Sequence, residues 1–232
     1  SYTAEEKAKY GFARSEMYEA NLAGTVNPYD RHVFLCYKSH AAWPSHVENS
    51  DSDLIPKLFA SALQARKNDI TPKTRLTICA SGDDVNLADG DVLIFPERVI
   101  YRGLKDTDVD KFVEDVLVNG KTWGDRLPEE LTGSYVFICA HSNRDLRCGV
   151  CGPILIEKFN EVIKAKDLRS QIRVTACSHI GGHKYAGNII VFCENAQGKV
   201  VGNWYGYVTP DDVPELIEKQ ITKGEVVERI WR

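Results

Sequence analysis

From residue 31 onward the chain runs through one pattern twice. "RHVFLCYKSH" (31–40) resembles "SYVFICAHSN" (134–143), "RLTICAS" (75–81) resembles "RVTACSH" (173–179), and "DVLIFPE" (91–97) resembles "NIIVFCE" (188–194). The offsets are 103, 98 and 97 residues, so the order is kept with small deletions. A repeat of that length constrains the architecture before any single element does, because each copy must be one supersecondary unit.

Both copies read alike. An apolar strand comes first. A helix follows, "DSDLIPKLFASALQARK" in the first copy and "GPILIEKFNEVIKAKDL" in the second, where Ile154, Ile156, Phe159, Val162 and Ile163 recur at helical spacing. A second strand and a loop lead to a hairpin, with Gly198 in the turn of the second copy. "DTDVDKFVEDVLVNG" and "TPDDVPELIEKQITKG" close the copies as helices, the second capped by Thr209 or Asp211. Strand, helix, strand, hairpin, helix is the thioredoxin-like order. It predicts an α/β fold of two tandem thioredoxin-like modules, mixed sheets flanked by helices, over residues 30–121 and 130–232. Residues 1–29 read as an amphipathic helix and a loop, and "KTWGDRLPEELTG" as the link between modules.

The 232 residues suit one large domain or two small ones, and 43% hydrophobic content supplies an ordinary core. A net charge of −4 without a Lys/Arg cluster argues against nucleic acid as a partner. The apolar runs are strand-sized, below the roughly 18 residues of a membrane helix, so no membrane is expected. A monomer is the expected state. Seven cysteines, several inside apolar strands, point away from a secreted disulfide scaffold. A reducing intracellular compartment fits them: the cytoplasm first, with mitochondrion and chloroplast open. The chain begins at Ser1, its one methionine is Met17, and it stops at Arg232. A targeting peptide ahead of Ser1 and a tail beyond Arg232 therefore stay open.

The chemistry gathers in the second copy. Cys139 ends its first strand, and Cys148 lies nine positions on, before the Gly152-Pro153 that reads as a helix start. A thiolate at Cys148 gains from a helix N-terminus and from Arg144 and Arg147. After the second strand comes Cys177-Ser178-His179-Ile180-Gly181-Gly182-His183, with two glycines that let backbone wrap a compact object. In this fold both loops lie at one end of the sheet, so Cys139, Cys148, His179 and His183 can converge. Three chemistries compete. Cys148 and Cys151 have the spacing of a thiol–disulfide oxidoreductase. However, no proline stands in Tyr185-Ala186-Gly187-Asn188, where such enzymes carry one, and the histidines are left without a role. Two cysteines and two histidines also suit a structural zinc site. The third is an iron–sulfur cluster.

"CAHSNRDLRCGVCGP" followed by "HIGGH" resembles the sucrase/ferredoxin-like family, thioredoxin-like ferredoxins with two histidine ligands. Cys139-x8-Cys148 and His179-x3-His183 match the family's C-x8-C and H-x3-H. The resemblance implies a [2Fe–2S] cluster ligated by Cys139, Cys148, His179 and His183, with Cys151 and Cys177 outside the ligand set. It implies electron transfer or redox sensing without substrate turnover, and a redox partner protein, reductase or acceptor. Two imidazoles replacing two thiolates raise a cluster's potential, as in Rieske centres. A free ring nitrogen would couple reduction to protonation.

Other residues carry plainer expectations. Cys36, Cys79 and Cys193 read as small core residues. Cys177 is a candidate alternative ligand, and His141 reads as exposed, with a supporting role as the other option. The first copy keeps Cys36 opposite Cys139. It has Ser45, Ser81 and Val85 where the second has Cys148, His179 and His183, so it should hold no cluster. His40 and His46 lie near its Cys36. Trp204 reads as packed, Trp43-Pro44 as cover for the first module, and Trp231-Arg232 as exposed docking residues.

Overall fold

The computed structural model of the protein describes residues 2–18, 22–82, 86–182 and 185–232. The chain divides into two compact units, Pro28–Leu131 and Ser1–Asn27 with Thr132–Arg232. It opens on a short helix, α1 (Ala4–Lys9). Thr3 and Glu6 cap that helix reciprocally, the Thr3 hydroxyl accepting from the Glu6 N–H and the Glu6 carboxylate from the Thr3 N–H. The amphipathic helix expected here is present only as this short α1. α1 buries no residue, and Gly11, at φ +80, turns the chain away.

In the unit Pro28–Leu131, β1 (Arg31–Cys36) leads through α2 (Leu54–Ala65) to β2 (Thr74–Cys79), parallel to β1. The hairpin of β3 (Val92–Phe95) and β4 (Val99–Tyr101) adds to the other side of β1 antiparallel. The closing helix α3 (Val109–Phe112) runs on in wider turns through Val113–Val118. Its Phe112 ring lies 5.9 Å from that of Phe59 on α2. β1 and β3 are buried along their whole length; β3 is apolar throughout, while β1 buries Arg31 and His32 ahead of its apolar run. The expected link contributes a further strand, β5 (Glu129–Glu130), paired antiparallel with β4. Two exposed glutamates carry no strand periodicity, so only the edge left by β4 reveals it.

The second unit follows the same path. β6 (Ser134–Cys139) leads through α4 (Leu146–Ala165) to β7 (Ile172–Cys177), parallel in register from Ser134↔Ile172 to Cys139↔Cys177. The hairpin of β8 (Ile189–Glu194) and β9 (Val200–Tyr205) pairs antiparallel with β6, and Gly198 takes φ +77 in its turn. The closing helix α5 (Val213–Glu215) runs on through Leu216–Thr222. It is entered from Thr209, whose N–H and hydroxyl both reach the Asp212 carboxylate. Each unit is thus a mixed sheet in the thioredoxin-like order, and the fold expected from the repeat holds. Residues 1–27 belong to this second unit. Lys7 pairs with Asp211 at 2.7 Å, and the Arg14 guanidinium donates to the Ala186 carbonyl at 2.8 Å.

Candidate functional site

Parallel pairing sends β6 and β7 out of the sheet at the same end, so the loops after them start side by side, with His179 against His141. α4 begins at Leu146, six residues before the Gly152-Pro153 predicted to open it. The start is set by Asp145, whose carboxylate accepts from the Arg147 N–H at 2.8 Å and also pairs with the Arg147 guanidinium at 3.0 Å. Pro153 therefore sits inside the helix, and Cys148 lies in its first turn. Two glycines let this turn lie flat against the preceding loop. A Cβ on Gly149 would overlap Ser142, and one on Gly152 would overlap the Cys139 carbonyl and Ala140.

That approach joins Cys148 to Cys139, both buried. The Cys148 thiol donates to the Cys139 sulfur, which also receives the backbone N–H groups of His141 and Ile180. These donors hold the Cys139 thiol below its usual pKa, the Cys148 bond contributing most. The same bond, with burial, pushes Cys148 far up. Cys151 takes a different partner. Its thiol donates to the Tyr10 carbonyl at 3.1 Å, and burial pushes it up to about 11. The CxxC spacing is therefore not a self-contained dithiol: Cys148 bonds to Cys139, and Cys151 is held by the N-terminal segment.

The histidine side is built from the β7 loop. His141, expected to be exposed, is 2% exposed, and its Nδ1 accepts the His179 N–H at 3.1 Å. That bond fastens the start of the second loop to the first. A single histidine between Ala140 and Ser142 gave no sequence signal of this burial. His179 is half-buried, and His183 lies outside the described residues. Among the described residues no group of three His, Cys, Asp or Glu side chains stands close enough to hold a metal ion. Cys177 is buried on β7 opposite Cys139. Trp204 is buried as expected, and so, against expectation, is Arg232, while Trp231 stays partly exposed.

In the other unit Cys36 and Cys79 face each other on β1 and β2, sulfur to sulfur at 3.2 Å, and are buried. Cys193 is buried too. Ser45 is exposed, the Ser81 hydroxyl bonds Asp89, and Val85 lies outside the described residues. Trp43 is buried with its indole N–H on the Tyr37 carbonyl at 2.6 Å.

Against this geometry, a family model described as Sucrase/ferredoxin-like matches residues 22–232. The chain belongs to the Sucrase/ferredoxin-like family. Its relatives include Altered inheritance of mitochondria protein 32 of Meyerozyma guilliermondii, 35% identical over 104 residues, which are 45% of this chain and 36% of that protein. The protein of the same name from Debaryomyces hansenii is 26% identical over 245 residues, 93% of this chain and 86% of that one. Actin patches distal protein 1 of Saccharomyces cerevisiae is 33% identical over 100 residues, 40% of this chain and 31% of that one. The match to the first and third relatives thus takes in about a third of their length. A solved structure, the thioredoxin-like [2Fe-2S] ferredoxin from Aquifex aeolicus, is 25% identical with a TM-score of 0.34. It covers 43% of this chain and 96% of its own.

These relatives correct one expectation. They bear names of mitochondrial inheritance and actin-patch traits and are not established electron carriers. The sucrase/ferredoxin-like resemblance therefore holds for family and fold, while the electron-transfer or redox-sensing role drawn from it does not stand, nor do the oxidoreductase and zinc roles set beside it. Among the described residues no helix is long and apolar enough to cross a membrane.

Proposed function

We propose that the second unit of this Sucrase/ferredoxin-like protein is a [2Fe–2S]-binding module with Cys139, Cys148, His179 and His183 as ligands. One observation carries the reading. The Cys139 sulfur, buried at the end of β6, is met by the Cys148 thiol and by two backbone N–H groups, those of His141 and Ile180. N–H groups aimed at sulfur favour the thiolate, and such bonds orient and tune metal-bound sulfur. Losing the Cys148 proton would leave two thiolates side by side away from water, which only positive charge can hold there. Thiolate and imidazole donors suit iron. Two neutral imidazoles leave the site two negative charges lighter than four thiolates would, which suits so buried a pocket. A bound cluster supplies a redox-active iron centre, and the chain supplies the buried, donor-lined cradle. The relatives' name supports a role connected with mitochondria.

The test is iron and acid-labile sulfide content with visible absorption, on protein purified without oxygen. The wild type should carry about two of each per chain. Cys139→Ser, Cys148→Ser, His179→Ala and His183→Ala should lose them, and Cys151→Ser should keep them. Colourless, iron-free wild type overturns the reading, and loss on Cys151→Ser overturns the ligand set.

A further inference from the structure

Arginine side chains ordinarily keep their charge in water, yet Arg232 is only 7% exposed. Its backbone N–H donates to the Trp204 carbonyl at 2.9 Å, and Trp231 bridges to Tyr205, so residues 231 and 232 are tied to the end of β9. From there the guanidinium turns inward. Nη1 donates to the Asn188 side-chain oxygen at 2.9 Å. Nε donates to the Thr25 hydroxyl at 3.0 Å and Nη2 to the Thr25 carbonyl at 3.3 Å. The group lies over the rings of Tyr185, at 4.9 Å, and Trp204, at 5.5 Å.

Asn188 passes this hold to both loops of the site. It is 1% exposed. Its side-chain N–H2 donates to the Gly182 carbonyl at 2.8 Å, and its own carbonyl accepts the Cys139 N–H at 3.0 Å. The Gly182 carbonyl also takes the Tyr185 N–H at 2.8 Å. Gly182 has φ +67, and a Cβ there would stand 2.6 Å from the Arg232 Nη2 and 2.9 Å from the Tyr185 ring. The glycine is thus demanded twice, by backbone conformation and by the arginine beside it. The loop is pinned at residues 182, 185 and 188. His183 falls between the first two pins and His179 just before them.

We infer that Arg232, acting through Asn188 and Gly182, is a positioning residue for the loop bearing His179 and His183, an inference that rests on the proposed ligand set for its consequence. The planar fork matters as well as the charge, since it meets Asn188 and Thr25 at once while stacking on two rings. Arg232→Gln and Asn188→Ala should each speed amide exchange across residues 178–188 about tenfold, with exchange in β8 near wild type. Both should also speed iron loss to a chelator from the full-length, cluster-loaded protein, on the order of tenfold or more. Arg232→Lys should fall between, because it keeps the charge and loses the fork.

Unchanged exchange across 178–188, or an equal rise throughout the unit, overturns the inference. So does faster exchange with iron lost at the wild-type rate. Wild-type protein that binds no iron would remove the ligand reading and with it the consequence for metal, while the exchange experiment still decides whether Arg232 holds the loop.

Discussion

His32 is fully buried on β1, its Nδ1 2.9 Å from the Tyr29 hydroxyl and its Nε2 2.7 Å from the Thr77 hydroxyl. Its ring stacks 4.1 Å from that of Phe34. Burial, aided by Arg75, holds the imidazole well below its usual pKa of 6.5, so the folded state keeps it neutral. The unfolded chain binds a proton that the folded chain refuses. This residue's share of stability is therefore intact above about pH 6.5 and is lost as pH falls below it, at roughly 1.4 kcal/mol per pH unit. His32→Phe should be less stable than wild type at pH 7, since two hydroxyls lose their partner. The gap should narrow by pH 5, and urea unfolding at the two pH values measures it. A gap that stays constant would mean that His32 is protonated in the fold. Single buried polar residues of this kind were the least legible part of the sequence. His141 and Arg232 both read as exposed from their types, and both owe their burial to partners 38 and 44 positions away.

α4 shows what a sequence signal can misplace. Gly-Pro is a fair mark of a helix start, yet here the helix runs through Pro153, which forfeits the hydrogen bond to the Gly149 carbonyl and crowds that carbonyl with its ring. Asp145 makes the stronger signal, because its carboxylate serves an N–H that otherwise has no helical partner. Asp145→Ala should destabilise the unit by about 1 kcal/mol. Since that cap sets the turn carrying Cys148, cluster loading should fall further than the melting temperature alone implies. Thermal unfolding alongside iron content checks this, and normal iron content in the variant would separate the cap from the site. The cysteines themselves were legible as a pair through the family resemblance that C-x8-C carries, although Cys148 read as lying ahead of the helix rather than in its first turn. Their contact depends on Gly149 and Gly152, whose role appears only once Ser142 and the Cys139 carbonyl are seen against them.

For the whole molecule, the repeat was legible because strand and helix periodicity survive divergence, and it gave both mixed sheets. What it did not give is the fate of the segment before the repeat. The segment before the repeat groups with the second unit and meets α4 at Tyr10 and Gly11. Phe12 is buried, Tyr10 offers its carbonyl to Cys151, and a Cβ on Gly11 would touch that sulfur at 3.6 Å. The segment thus covers a thiol three residues from Cys148, and it buries Phe12 next to that contact and Leu22 against Tyr185 and Tyr207. Truncating a buried phenylalanine costs about 3 kcal/mol or more. Because α1 buries nothing of its own, most of that loss should appear as release of the segment. In Phe12→Ala, Cys151 should therefore react with a thiol reagent at least tenfold faster by mass spectrometry. Cys36 and Cys79, buried in the other unit, should react at the wild-type rate. If Cys151 stays as slow as in wild type, α4 and the sheet protect it without the segment. If all three cysteines accelerate together, Phe12 supports the whole fold rather than the cover over one helix.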